Sequence, residues 1–92
     1  MTWCVYILEC RNKHLYTGIS NDVDRRVKMH QKGAGARYTK IFGVKRLLYQ
    51  EECGDQSSAL KREAEIKSWP RVKKILLIKS KKKKMVYANP FD

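Results

Sequence analysis

Ninety-two residues with a hydrophobic fraction of 42% and a net charge of +12 describe one globular domain, too short for a second core and too apolar for a disordered chain. The charge is uneven: residues 71–92 carry eight basic and one acidic side chain, and residues 1–70 carry thirteen basic and eight acidic. That balance points to a polyanionic partner, nucleic acid ahead of an anionic membrane surface.

No apolar run approaches the roughly 18 residues that span a bilayer, and no N-terminal segment reads as a signal peptide, so a cytoplasmic location without membrane attachment is expected. Cys4, Cys10 and Cys53 are odd in number and lack CxxC spacing. They are expected to be reduced, mostly buried small hydrophobes rather than a disulfide framework or a zinc site.

In chain order, Trp3 to Cys10 is β-branched, aromatic and apolar, the composition of a buried strand. Arg11-Asn12-Lys13-His14 is a turn, and Leu15 to Ile19 returns as a second strand. Ser20 or Asn21 can cap a helix over about Asp22–Lys32, with Gly33 placed to end it. Gly33 to Gly43 reads as a glycine-containing loop. Its Gly33-Ala34-Gly35-Ala36 start is not a P-loop, because the Lys-Ser/Thr that follows one is missing.

Val44 to Glu51 is a third strand. Asp55 or Ser57 caps a helix to about Ser68, and Pro70 can open a further helix to about Lys79. The order predicts an α/β (α+β) domain over residues 1–80: a small three-stranded sheet with an N-terminal antiparallel hairpin, flanked by helices. Residues 81–92 are expected to form a basic C-terminal tail carrying the Lys81–Lys84 run.

Helical periodicity isolates three misplaced polar residues. At about 100° per residue, Val23 and Val27 define the apolar stripe of the first long helix, with Arg26 and His30 between them and Met29 on the far flank. In 56–68 the expected core stripe is Ala59, Leu60, Ala64 and Ile66, with Glu63 near its middle. A buried Arg26–Glu63 ion pair would satisfy both charges without any function. Charge on two inward stripes of a thin core is otherwise costly, and converging ionisable groups often mark a site.

The hairpin register decides whether Tyr6 and Tyr16 join them. A two-residue turn at Asn12-Lys13 would pair Tyr6 with Ile19 and set the two tyrosines on opposite faces. An odd-length loop or a compensating bulge, which is the expectation, brings them to one face.

With these residues in place, the chain resembles the GIY-YIG nuclease superfamily, in its small single-domain bacterial branch. Val5-Tyr6-Ile7 and Tyr16-Thr17-Gly18 stand where the two half-motifs lie, and Arg26, His30 and Glu63 match the helix arginine, the His-or-Tyr position and the metal-binding glutamate. The resemblance covers roughly residues 3–78. Cys4 replaces the first glycine, Thr17 the usual Ile, and Ile19 stands where some members carry Lys; Asn89 is the late candidate for a distal asparagine.

The resemblance implies a metal-dependent endonuclease that hydrolyses phosphodiester bonds of DNA, on branched or damaged structures in repair or recombination. It implies one Mg²⁺ or Mn²⁺ on Glu63 and Arg26 on the phosphate oxygens. Tyr6 would act on the attacking water, Tyr16 and His30 would orient the network with His30 a further proton acceptor, and Gly18 would allow close backbone approach. Lys28, Lys32, Arg37, Lys40 and the 79–84 run would hold the phosphate backbone and Tyr38 would stack on a base. No small-molecule cofactor is expected, and the protein is expected to be a monomer or weak dimer. The competing reading from another class is a non-catalytic basic nucleic-acid-binding module with a vestigial site.

Overall fold

The computed structural model describes the backbone of residues 2–88 and the side chains of residues 2–80. Strand β1 (Trp3–Cys10) pairs antiparallel with β2 (Leu15–Ser20) on one side and β3 (Val44–Gly54) on the other, so the sheet order is β2-β1-β3. A central strand buried on both faces has no polar side to show, which is why residues 3–10 read as a nearly continuous apolar run. Its even residues Cys4, Tyr6 and Leu8 pack with Val23 and Val44. Its odd residues Val5 and Ile7 pack with Tyr49, Ile66 and Ile78.

The hairpin loop has three residues. Cys10 N–H donates to the His14 carbonyl at 2.9 Å, Lys13 N–H donates to the Cys10 carbonyl at 2.9 Å, and Lys13 is left-handed at φ 70°. This turn followed by a left-handed residue is the common three-residue connection. It sets Tyr6 opposite Gly18 and Leu8 opposite Tyr16, so both tyrosines stand on one face, as the odd-loop expectation required.

Helix α1 (Val23–Gln31) covers the even face of β1. Its cap is Asp22, whose carboxylate accepts from Arg25 N–H at 3.3 Å, rather than Ser20 or Asn21; Ser20 Oγ instead accepts the Asp22 N–H at 2.9 Å. Gly33 at φ +78° ends it: Gly33 N–H reaches the His30 carbonyl at 3.0 Å and Ala34 N–H the Met29 carbonyl at 2.9 Å, the paired bonds of a Schellman stop.

The stretch expected to be loop contains a short helix, α2 (Arg37–Phe42). Six residues with no side-chain cap at Ala36 give no amphipathic signal. Tertiary contacts hold it instead, through buried Thr39 and through Tyr38, which packs against Tyr16 and Phe42.

β3 continues past Glu51 to Gly54, and register shifts on β1 between Ile7/Leu8 and Glu9/Cys10 bulge it. The extra residue sets Leu48 and Tyr49 in the same cluster on the odd face. Asp55 caps α3 (Gln56–Lys67), accepting Ser58 N–H at 2.8 Å.

The inward stripe of α3 is Ala59 and Ile66, both 0% exposed, while Leu60 and Ala64 face outward. Those two were expected in the core. Their apolarity pulls the expected stripe about 60° round the helix, whereas the observed one is flanked by half-buried Arg62 and Glu63. Arg62 clamps α3 to β3 through two bonds to Glu51, at 2.9 and 3.1 Å, with Tyr49 donating to the same carboxylate. α4 (Arg71–Ala88) starts after Pro70 and runs beyond Lys79, into the segment expected to be a tail. Asn89 lies outside the described residues. Cys4 and Cys10 are buried and Cys53 partly so, all three free thiols.

Lys13 bears the cost of a left-handed backbone on a residue with a Cβ. Lys13→Gly is expected to raise stability by about 0.5–1 kcal/mol, read as a higher urea midpoint at unchanged slope.

Candidate active site

The hairpin places Tyr6 and Gly18 side by side, and the fit depends on glycine. A Cβ at position 18 would lie 2.5 Å from the Tyr6 hydroxyl and 3.2 Å from the Tyr16 ring. The space that Gly18 leaves is thus filled by Tyr6. Tyr6 is 1% exposed, and its hydroxyl sits 2.8 Å from Nε2 of His30, itself 1% exposed in the last turn of α1. Tyr16 closes the other side, its ring centroid 5.3 Å from that of His30. Beyond His30, Nδ1 meets Thr39 Oγ1 at 2.7 Å, and the Thr39 hydroxyl donates to the Ala36 carbonyl at 2.9 Å. Gly35 lets the chain pass over the imidazole, since a Cβ there would fall 2.2 Å from Nδ1.

The charged members stand at the rim. Arg26 is exposed rather than buried on the α1 stripe. Val23, Val27 and His30 define the inward direction, and Arg26 lies about 60° off it, at the boundary with water. From there its charge acts on both Tyr6 and His30. Glu63 is half-buried on the flank of α3, close enough for its charge to be felt at Tyr6, and it pairs with Lys67 at 3.2 Å. The Arg26–Glu63 ion pair is not formed among the described residues. The cost of buried charge therefore falls on neither residue, and what unites the five side chains is convergence.

Electrostatics follow the geometry. Burial pushes the Tyr6 phenol up to about 12; Tyr16 adds to the shift, while the Arg26 guanidinium opposes it. Burial, then the Arg26 charge, holds the His30 imidazole below its ordinary value. Both groups are neutral at pH 7, a phenol hydrogen-bonded to an imidazole.

The GIY-YIG catalytic domain family model matches residues 2–76. The chain belongs to the GIY-YIG family. UPF0213 proteins of Staphylococcus aureus strains Mu50 and N315 are each 49% identical over 77 residues, covering 84% of this chain and 94% of theirs. The solution NMR structure of a UPF0213 protein from Bacillus halodurans is 42% identical, superposes with a TM-score of 0.57 and covers 88% of this chain and 86% of that one. The GIY-YIG domain assigns the chain to a nuclease superfamily, whose substrates are nucleic acids.

Two hollows flank the tyrosine–histidine cluster of this GIY-YIG domain, one toward each end of edge strand β2. One, of about 390 Å³, is lined by Ser20, Asn21, Arg25, Arg26 and Gln56 among others. The other, of about 280 Å³, is lined by His14, Tyr16, Thr17, Lys67, Arg71 and Lys74, with Tyr38 at its wall. Thr17 Oγ1 is the buried side-chain polar atom with no partner among the described residues, and Thr17 lines this second hollow.

The Tyr38 ring stacks on Tyr16 at 6.4 Å, and its hydroxyl lies 2.8 Å from His14 Nδ1. Lys28 and Lys32 line a separate hollow of about 430 Å³ with Asp22 and Asp24 at the start of α1, and Arg37 and Lys40 are exposed on α2. None of these four lines the hollows beside the cluster. Sequence reading passed over Thr39, Gly35, Arg71 and Lys74. Arg71 and Lys74, at i and i+3 just after Pro70, carried a legible signal: two cations on one face of a helix start.

No helix among the described residues is long and apolar enough to cross a membrane. One carboxylate stands at the cluster, and no group of three or more His, Cys, Asp or Glu among the described residues could hold an ion by itself. That donor set fits a largely hydrated Mg²⁺ or Mn²⁺ completed by substrate phosphate, and not a resident structural metal.

The neutral pair sets the pH range of stability. The unfolded chain protonates His30 near 6.5 and the folded protein only at lower pH, so this contribution is full above pH 6.5 and lost as pH falls through the folded value. Tyr6 acts at the other end: its contribution is full below pH 10 and lost as pH rises toward about 12. Urea midpoints are expected to fall on both sides of a plateau. His30→Gln should flatten the acid limb, and Tyr6→Phe the alkaline one.

Proposed function

We propose that the protein is a metal-dependent endonuclease that hydrolyses phosphodiester bonds of DNA, with branched or damaged structures of repair and recombination as its substrates. The observation that carries this reading is the convergence of Tyr6, Tyr16, Arg26, His30 and Glu63 around one hydroxyl.

Hydrolysis needs an activated water and donors where charge builds on phosphate. Tyr6, bonded to the imidazole and faced by a guanidinium, holds and deprotonates the water. Arg26, exposed at the rim, is free to offer its planar fork to the non-bridging oxygens. Tyr16 and His30 orient the phenol. Glu63 would hold the Mg²⁺ or Mn²⁺, displacing Lys67 from its carboxylate. When bound, the ion would neutralise charge on the scissile phosphate.

The two hollows support a strand path along the edge of β2. An extended nucleic-acid strand would enter over Arg25 and Arg26, pass the cluster, and leave over Lys67, Arg71 and Lys74. Lys28, Lys32, Arg37 and Lys40 form an outer ring of weaker, salt-sensitive contacts, to which the 79–84 run would add, the side chains of 81–84 lying outside the described residues, while Tyr38 braces Tyr16. The protein acts as a monomer or weak dimer in the cytoplasm.

One observation favours the alternative of a non-catalytic binding module: the lone carboxylate already has Lys67 as its partner. Cleavage assays on branched and single-stranded DNA with Mg²⁺ or Mn²⁺ separate the two. Glu63→Ala and Arg26→Ala are each expected to lower kcat by about 10²-fold or more while DNA binding without metal survives. Equal cleavage by wild type and both variants would mean contamination, and binding with no cleavage would leave the module reading. Arg71→Ala and Lys74→Ala should each weaken binding across all sequences and lower the slope of log K against log salt by about 1.

A further inference from the structure

We propose that Thr39 is a positioning residue that sets the tautomer of His30, making His30 Nε2 the proton acceptor of Tyr6. Proton counting fixes the tautomer. His30 is neutral and almost fully buried, so one ring nitrogen carries hydrogen and the other a lone pair. Its Nδ1 stands 2.7 Å from Thr39 Oγ1, and the single proton of the Thr39 hydroxyl goes to the Ala36 carbonyl at 2.9 Å.

A hydroxyl that has given its proton away can only accept from the ring. Nδ1 therefore carries the hydrogen. Nε2, 2.8 Å from the Tyr6 hydroxyl, is left with its lone pair, and the phenol must donate to it. The Tyr6 proton thus already points at its acceptor before any substrate arrives.

The other tautomer also has a partner waiting. Ala36 N–H lies 3.4 Å from Nδ1, too far to compete while Thr39 accepts. Without the Thr39 oxygen, Nδ1 would take that N–H, Nε2 would carry the hydrogen and donate to Tyr6, and the phenol would lose its acceptor. The groups facing His30 are Tyr6 from β1, Tyr16 from β2, Arg26 from its own helix, the Ala36 N–H and Thr39 from α2. Two of them meet Nδ1, and Thr39 Oγ1 at 2.7 Å is much the closer.

This assignment deepens the nuclease reading and rests on it for its kinetic consequence. In the reaction the Tyr6 O–H bond breaks and an Nε2–H bond forms, giving a phenolate beside Arg26 and an imidazolium whose Nδ1–H stays on Thr39. The phenolate takes a proton from the water as its oxygen bonds to phosphorus, and the electron pair of the breaking P–O bond goes to the leaving 3′ oxygen. His30, whose Nε2 faces the Tyr6 hydroxyl and not solvent, returns its proton to Tyr6 as Tyr6 passes the one it took from the water to that oxygen.

The experiment reads the tautomer directly and needs no substrate. Long-range ¹H–¹⁵N correlation of the full-length ¹⁵N-labelled protein at pH 7.5 is expected to place His30 Nδ1 in the protonated range and Nε2 in the lone-pair range. The same pattern is expected for Thr39→Ser, and the two nitrogens should exchange ranges or average in Thr39→Val. In cleavage assays Thr39→Val should lower kcat by about 10²-fold at similar KM, with Thr39→Ser within a few-fold.

A wild-type spectrum with hydrogen on Nε2 would overturn the proposal, and so would an unchanged tautomer in Thr39→Val. If Thr39→Val fails to fold, the wild-type and Thr39→Ser spectra still decide. A protein that has the expected tautomer but cleaves nothing would sink the nuclease reading and leave the assignment of Thr39 standing.

Discussion

The site depends first on the register of one hairpin. Lys13 in the left-handed region closes a three-residue loop, and that odd count puts Tyr6 opposite Gly18 and Tyr16 opposite Leu8. A slip of one residue would turn Tyr16 under α3 and bring Thr17 round to the α1 face, because side chains alternate with period two. Gly18 completes the constraint by having no Cβ where the Tyr6 hydroxyl lies. His30 then has one place to point, and the end of α1, the turn at Gly35 and the short α2 close around it.

The site separates neutral buried groups from charged exposed ones. Tyr6, His30 and Thr39 form a dry hydrogen-bonded chain in which every member has a partner. Arg26 and Glu63 stay at the rim, where water solvates them and a polyanion can reach them. This avoids the several kcal/mol that an unpaired charge would cost in so thin a core. It also leaves the phenol and the imidazole far apart in proton affinity in the resting protein, burial raising one and lowering the other. Arg62 serves the rim from the opposite flank of α3: its two bonds to Glu51 hold the rotation of the helix, and with it the direction of Glu63.

Much of this was legible beforehand because it is local. The strand run of β1, the glycine stop at Gly33, the Asp55 cap and the proline before α4 are signals spanning a few residues. The five candidate residues stood out through spacing and family resemblance; the inward-stripe argument holds for His30, which is buried, and not for Arg26, which is exposed. The α3 stripe was misread because Leu60 and Ala64 are apolar yet face water, and a twelve-residue helix offers too few turns to outvote two misleading residues. α2 gave no signal at all: six residues without a cap form a helix only when something else holds them.

By itself the sequence determined the order of every element but α2, the pairing of the first two strands, the charge that calls for a polyanion and the candidate groups for chemistry on one. These are properties of composition and short-range periodicity. Only the tertiary structure decided which way the tyrosines face, which nitrogen of His30 meets which oxygen, and which cations line the hollows beside the cluster. Those outcomes are set by loop register, by the rotation of α1 and α3 on the sheet, and by contacts between residues far apart in the chain, Tyr6 with His30 above all. The paired tyrosines are motifs in the sequence; they become one wall of a site because a single lysine accepts a left-handed turn.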